Sequence, residues 1–141
     1  MRPRRRRADR DALRTHPSSP GGQTYHFSSS YGAGKAGLDR MTADMALELE
    51  PKGIPAIVLY PGVVATEFIL DAAKNREMDL SQSQTPLLVG RAAVALLTCN
   101  ELMARTGTIP WVEDLVEEFD VLDESGKRPT ERYARRVDSK T

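Results

Sequence analysis

Residues 54–60, Ile-Pro-Ala-Ile-Val-Leu-Tyr, form a continuous apolar run of strand length between Gly53 and Pro61-Gly62. A run without polar alternation reads as a strand buried on both faces of a parallel sheet. Such a strand demands neighbours on each side and helices above and below it. The flanking sequence offers helices. Ser28–Ser30 supplies N-caps for a helix reaching about Glu50, where Pro51-Lys52-Gly53 stops it. Ala33, Ala36, Gly37, Met41, Met45 and Leu49 mark one stripe along that helix, expected to face the core. Thr66 caps a short helix through Phe68–Ala73, residues 74–84 make a polar loop, and Thr85-Pro86 opens a helix to about Met103. Gly107–Val112 reads as a second strand, and the acidic remainder as irregular, solvated surface.

The expected fold class is therefore α/β, in the form of part of a doubly wound parallel sheet. Two strands make too small a sheet to be covered on both faces, so further strands are implied. Hydrophobic content of 40% with 28% charged residues suits a folded globular chain rather than a disordered one. Lys+Arg and Asp+Glu both total 20, but the charges segregate. Residues 1–17 are Arg-rich and without period, and read as a basic disordered tail rather than a nucleic-acid arm, since no aromatic residues interleave with Arg4–Arg7. Residues 18–129 form the expected domain, and 130–141 a polar C-terminal tail.

The single cysteine, Cys99, excludes an internal disulfide and lies on an apolar stretch where it is expected to be buried. His16 and His26 lack ligands at metal spacing, so no metal is expected. No apolar run reaches the roughly 18 residues of a membrane span, and no apolar signal segment follows the Arg-rich start, so a cytoplasmic location is expected.

The chemistry concentrates at Ser-Ser-Tyr31-Gly-Ala-Gly-Lys35. Spacing i, i+4 places Tyr31 and Lys35 on one helix face, one turn apart. A lysine ammonium so placed favours the charged form of a phenol, and a phenol tuned in this way exchanges a proton with an alcohol or carbonyl oxygen. Ser18, thirteen residues earlier in a Ser/Pro/Gly loop, has a hydroxyl able to reach the same oxygen. Pro61-Gly62 follows a buried strand, where the ligand crevice of an open α/β sheet lies.

Ser18, Tyr31-Gly-Ala-Gly-Lys35 and Pro61-Gly-Val-Val-Ala-Thr66, in this order and spacing, resemble the second half of a short-chain dehydrogenase/reductase. The likeness runs from Ser18 to Pro129. Ser-Ser-Pro-Gly-Gly-Gln-Thr-Tyr-His-Phe and the late Phe-Asp-Val-Leu-Asp-Glu-Ser-Gly-Lys-Arg-Pro are similar to one branch of that family. The resemblance implies a Rossmann-like sheet and hydride transfer between NAD or NADP and an alcohol/carbonyl pair. It makes Tyr31 the acid/base, gives Lys35 the nicotinamide ribose and the tuning of Tyr31, and makes Ser18 the donor that orients the substrate oxygen. Pro61, Gly62, Val64 and Thr66 would line the nicotinamide end, and residues 67–85 would form the substrate flap.

The same resemblance sets expectations this sequence does not meet. No strand with a Gly-rich turn precedes Ser18, and the Asn-Asn-Ala-Gly run and catalytic asparagine of the family have no counterpart. The chain reads as the C-terminal portion of such an enzyme, from a truncated, frameshifted or wrongly started reading frame, expected to bind NAD(P)H weakly or not at all on its own. The alternative is a non-catalytic remnant that binds a full-length relative through the helices that form the family's subunit interface; a homo-oligomer is the related expectation.

Overall fold

The computed structural model describes residues 28–75, 78, 80–126 and 128. Ser18, Tyr25, the two histidines and both expected tails lie outside these residues. The chain divides into two compact units: Met1–Val58 with Met103–Ile109, and Leu59–Leu102 with Pro110–Thr141.

In the first unit, helix α1 spans Ser29–Leu49 and is capped as expected, the Ser28 hydroxyl accepting the Tyr31 amide. A 3-10 turn over Glu50–Lys52 and Gly53 at φ 70° end it, a left-handed value that favours glycine. The buried face of α1 is Asp39, Thr42, Ala43 and Ala46, spaced i, i+3, i+4, i+7. This corrects the expected stripe, because Ala33, Gly37, Met41 and Met45 are all exposed. Small residues rather than large ones face inward, so the backbone of α1 can approach closely what covers it.

The apolar run 54–58 is extended, and its burial alternates: Ala56 and Val58 are buried, Ile54 exposed and Ile57 half-buried. Gly107 donates to the Ala56 carbonyl (2.8 Å) and Val58 to the Thr108 carbonyl (3.3 Å). The Ala56 amide turns instead to the Thr106 hydroxyl at 3.0 Å.

The second unit contains α2 (Glu67–Lys74), α3 (Pro86–Leu97) and α4 (Val112–Glu118). Its core is formed by Tyr60, Leu88, Ala92, Leu96, Trp111, Val112, Leu115 and Val116. Leu88, Ala92 and Leu96 recur every fourth residue, so α3 lays one row of side chains against α4. The Tyr60 and Trp111 rings sit 5.8 Å apart at 46°. The C-terminal stretch straps α3: Thr85 Oγ1 donates to Asp123 (2.6 Å) and Arg91 Nη1 to the Leu122 carbonyl (2.6 Å).

Four elements differ from expectation. Neither 54–60 nor 107–112 is a strand; among the described residues pairing is limited to two isolated parallel bridges, Tyr60 with Trp111 and Val64 with Gln84. The reason lies in the two facing segments together. Pro55 and Pro110 have no amide hydrogen, and Gly107 at φ 78° adds a residue to one side of the pairing, so regular rungs cannot accumulate. Helix α3 stops at Leu97, well before Met103, because the Thr98 hydroxyl bonds back to the Val94 and Ala95 carbonyls and competes with the helix. Cys99 consequently lies beyond the helix, half-buried rather than in the core. The acidic remainder contains α4, whose apolar Val112, Leu115 and Val116 pull Glu113 inward with them.

Among the described residues, no helix is long and apolar enough to cross a membrane.

Candidate functional site

The first turn of α1 is organised by serines. The Ser28 carbonyl accepts the Gly32 amide (3.0 Å), its hydroxyl accepts the Tyr31 amide (3.2 Å), and the Ser28 and Ser30 hydroxyls lie 3.1 Å apart. Tyr31 is thus fixed within the first helical turn, and Lys35 follows one turn later. Lys35 Nζ lies 5.5 Å from the centroid of the Tyr31 ring, within cation–π range. The two side chains that the i, i+4 spacing pairs are therefore in contact, through the ring face. Tyr31 is 41% exposed. A Cβ built on Gly34 or Gly37 would meet nothing within 4 Å, which leaves open space along this part of the helix.

Gly32-Ala-Gly-Lys-Ala-Gly37 spells G-x-G-x-x-G, yet the whole stretch is inside α1 and follows no strand. Its glycines shape a helix surface and form no phosphate-binding turn.

Pro61, Gly62, Val64 and Thr66 lie in the second unit, on a half-buried segment between Tyr60 and α2. The Gln84 amide donates to the Val63 carbonyl and the Ala65 amide to the Gln84 carbonyl, both at 2.8 Å. Val64 is held between these two bonds. Thr66 caps α2, its hydroxyl accepting the Ile69 amide at 3.4 Å. A hydroxyl used as an acceptor keeps its own proton to donate.

Two polar residues of this region escaped sequence reasoning. Gln84, expected in a polar loop, is 1% exposed, and Glu113, expected on a solvated surface, is 8% exposed. The Gln84 Nε2 donates to Glu113 Oε1 at 3.1 Å. The available signal was position: Gln84 directly precedes the Thr85 cap, where a chain turns into the core.

Elsewhere on α1, Arg40 Nε donates to Asp44 Oδ2 at 3.0 Å. That bond holds the Asp44 carboxyl below its usual value and raises the Arg40 guanidinium above its own. The pair is exposed, so it is a helix-surface contact. Among the described residues no group of three or more His, Cys, Asp or Glu is placed to hold a metal ion.

Comparison with known proteins bears on the whole region. The chain is 33% identical to the mouse (Mus musculus) dehydrogenase/reductase SDR family member 1 over 127 residues, and 32% identical to its human (Homo sapiens) counterpart over the same length. Each alignment takes in 82% of this chain and 40% of the relative, so the chain spans about two fifths of the length of these proteins. The short chain dehydrogenase family, whose fold is of the Rossmann type, matches residues 17–77, a stretch that includes Tyr31, Lys35 and Pro61–Thr66. Residues 17–77 thus belong to the short-chain dehydrogenase/reductase family, and the chain is distantly similar to these relatives over most of its length.

Proposed function

We infer that this chain is the catalytic-helix portion of an NAD(P)-dependent oxidoreductase that interconverts an alcohol and a carbonyl. The observation that carries the reading is the accessible Tyr31 with Lys35 packed against its ring, in a family of oxidoreductases. Tyr31 gives its hydroxyl proton to the carbonyl oxygen in reduction and takes it from the alcohol in oxidation. Lys35 places a positive charge one turn away and stabilises the phenolate that remains. Ser18 is assigned the donor that orients the substrate oxygen.

The residues assigned to a nicotinamide cofactor, NAD or NADP, are Tyr31, Lys35, Pro61, Gly62, Val64 and Thr66. When bound, that group supplies the hydride donor or acceptor. Their chemistry suits it: open space beside Gly34 and Gly37, and a Thr66 hydroxyl proton able to meet an amide or phosphate oxygen.

A second reading, a non-catalytic chain that associates with a full-length relative, is favoured by the outward stripe of α1. Leu38, Met41 and Met45 are exposed there, Met41 at 54%. A second copy of this chain would use the same stripe.

Turnover of NADH or NADPH with a panel of ketones and aldehydes separates the readings, measured for the full chain and for Tyr31→Phe. Activity in the wild type reduced at least a hundredfold in Tyr31→Phe supports the oxidoreductase, since general acid–base groups contribute about 100- to 10,000-fold. Equal activity in both proteins refutes the role of Tyr31. No activity in either, with undiminished binding to a full-length relative, supports the second reading.

A further inference from the structure

The segment assigned to the cofactor is held by a closed circuit of hydrogen bonds, all within the second unit. At its entrance, the Tyr60 amide donates to the Pro110 carbonyl (3.0 Å) and the Val112 amide donates to the Tyr60 carbonyl (2.8 Å). In its middle, the two Gln84 backbone bonds bracket Val64. Left alone, these are separate anchors. Gln84 joins them, because its side chain reaches Glu113, in the first turn of α4 and two residues beyond Trp111.

An amide and a carboxylate buried together are a poor choice for filling space. Each loses hydration, and only hydrogen bonds offset the loss. Leucine or methionine would fill a core position of this size without that cost. What the polar pair adds is direction, since Nε2 must point at Oε1 and so ties the Gln84 side chain to the start of α4. Gln84 is also where the chain returns after α2 and the polar loop, so the end of the expected flap and the cofactor segment share one residue.

We propose that Gln84 is a positioning residue for Pro61–Thr66: anchored on Glu113, it sets the Val63–Ala65 backbone against the start of α4. The proposal rests on the assignment of Pro61–Thr66 to the nicotinamide end, and its two parts are tested separately.

Amide hydrogen exchange by NMR on the full 141-residue chain tests the anchor without cofactor. Gln84→Met keeps length and volume but removes the donor. The Ala65 amide and the amide of residue 84 then exchange about tenfold or more faster, as for loss of a bond to a charged group. The Ala46 amide of α1 should not change. Gln84→Glu sets two carboxylates face to face and increases the effect. Combining Gln84→Glu with Glu113→Gln reverses the donor and acceptor and restores protection of Ala65. Ala65 exchange within twofold of wild type in Gln84→Met overturns the proposal. If Gln84→Met does not fold, the reversed pair decides: protected Ala65 supports the anchor, and an unfolded or unprotected product overturns it.

NADH at millimolar concentration tests the functional part, read as shifts of the Gly62, Val64 and Thr66 amide signals. Shifts in wild type that weaken several-fold in Gln84→Met and return in the reversed pair support a positioning role. Equal shifts in wild type and Gln84→Met overturn it. No shift in the wild type overturns the cofactor assignment itself, whatever the exchange data show.

Discussion

Replacing Thr85 with alanine removes two interactions that meet on one hydroxyl. Thr85 Oγ1 accepts the Leu88 amide at 3.1 Å, capping α3, and donates to Asp123 Oδ1 at 2.6 Å, fastening the C-terminal strap. Loss of a threonine cap costs about 1 kcal/mol. A hydrogen bond to a charged acceptor adds about 1.5 kcal/mol, the low end of its range. The low end applies because Asp123 is half-buried and keeps the Glu124 amide at 2.7 Å, so no buried charge is stranded. The total is about 2.5 kcal/mol. With a urea m-value of about 1.5 kcal/mol/M, the unfolding midpoint falls by more than 1 M. Trp111, the single tryptophan, lies in the core of the same unit and reports the transition by fluorescence. Thr85→Ser retains the hydroxyl and loses only a methyl, so it should stay within about 0.8 kcal/mol of wild type. The reasoning is refuted if alanine and serine are equally destabilising, or if alanine moves the midpoint by less than 0.3 M on the order of measurement error.

Two further predictions address the core and the surface. Leu88 is 0% exposed between α3 and α4, so Leu88→Ala should destabilise the second unit by about 2–5 kcal/mol, read from the same Trp111 transition. The folded-state value of Asp44 is lowered by its hydrogen bond to Arg40, so the pair stabilises α1 above the usual carboxyl value of 3.8 and stops doing so as pH falls through the lowered one. Helicity of wild type should therefore exceed that of Asp44→Asn at neutral pH, and the two should converge on acidification; a gap that widens in acid contradicts the sign.

Local signals were the legible part of this chain. Ser28, Thr66 and Thr85 each begin a helix where their sequence context places them, because a cap needs only a side-chain oxygen three residues from an amide. The Tyr31–Lys35 contact follows for the same reason: helical spacing alone brings the two side chains together. Trp111 in the core was equally readable, since a large aromatic in an apolar run has little alternative.

What depended on partners distant in sequence was not legible. An apolar run states that 54–60 is to be covered, but whether rungs form depends on the opposite segment, where Pro110 and the positive φ of Gly107 break the ladder. The large apolar side chains of α1 suggested its inner face, whereas close packing selected Asp39, Thr42, Ala43 and Ala46 and left the methionines outside. Gln84 and Glu113 lie 29 residues apart, and each alone reads as a solvated residue. The sequence by itself determined the helix starts, the Tyr31–Lys35 pair and the family. Tertiary structure decided which faces are buried and which polar groups pair in the core, because burial is a property of what packs against a residue and hydrogen bonding of what it meets there.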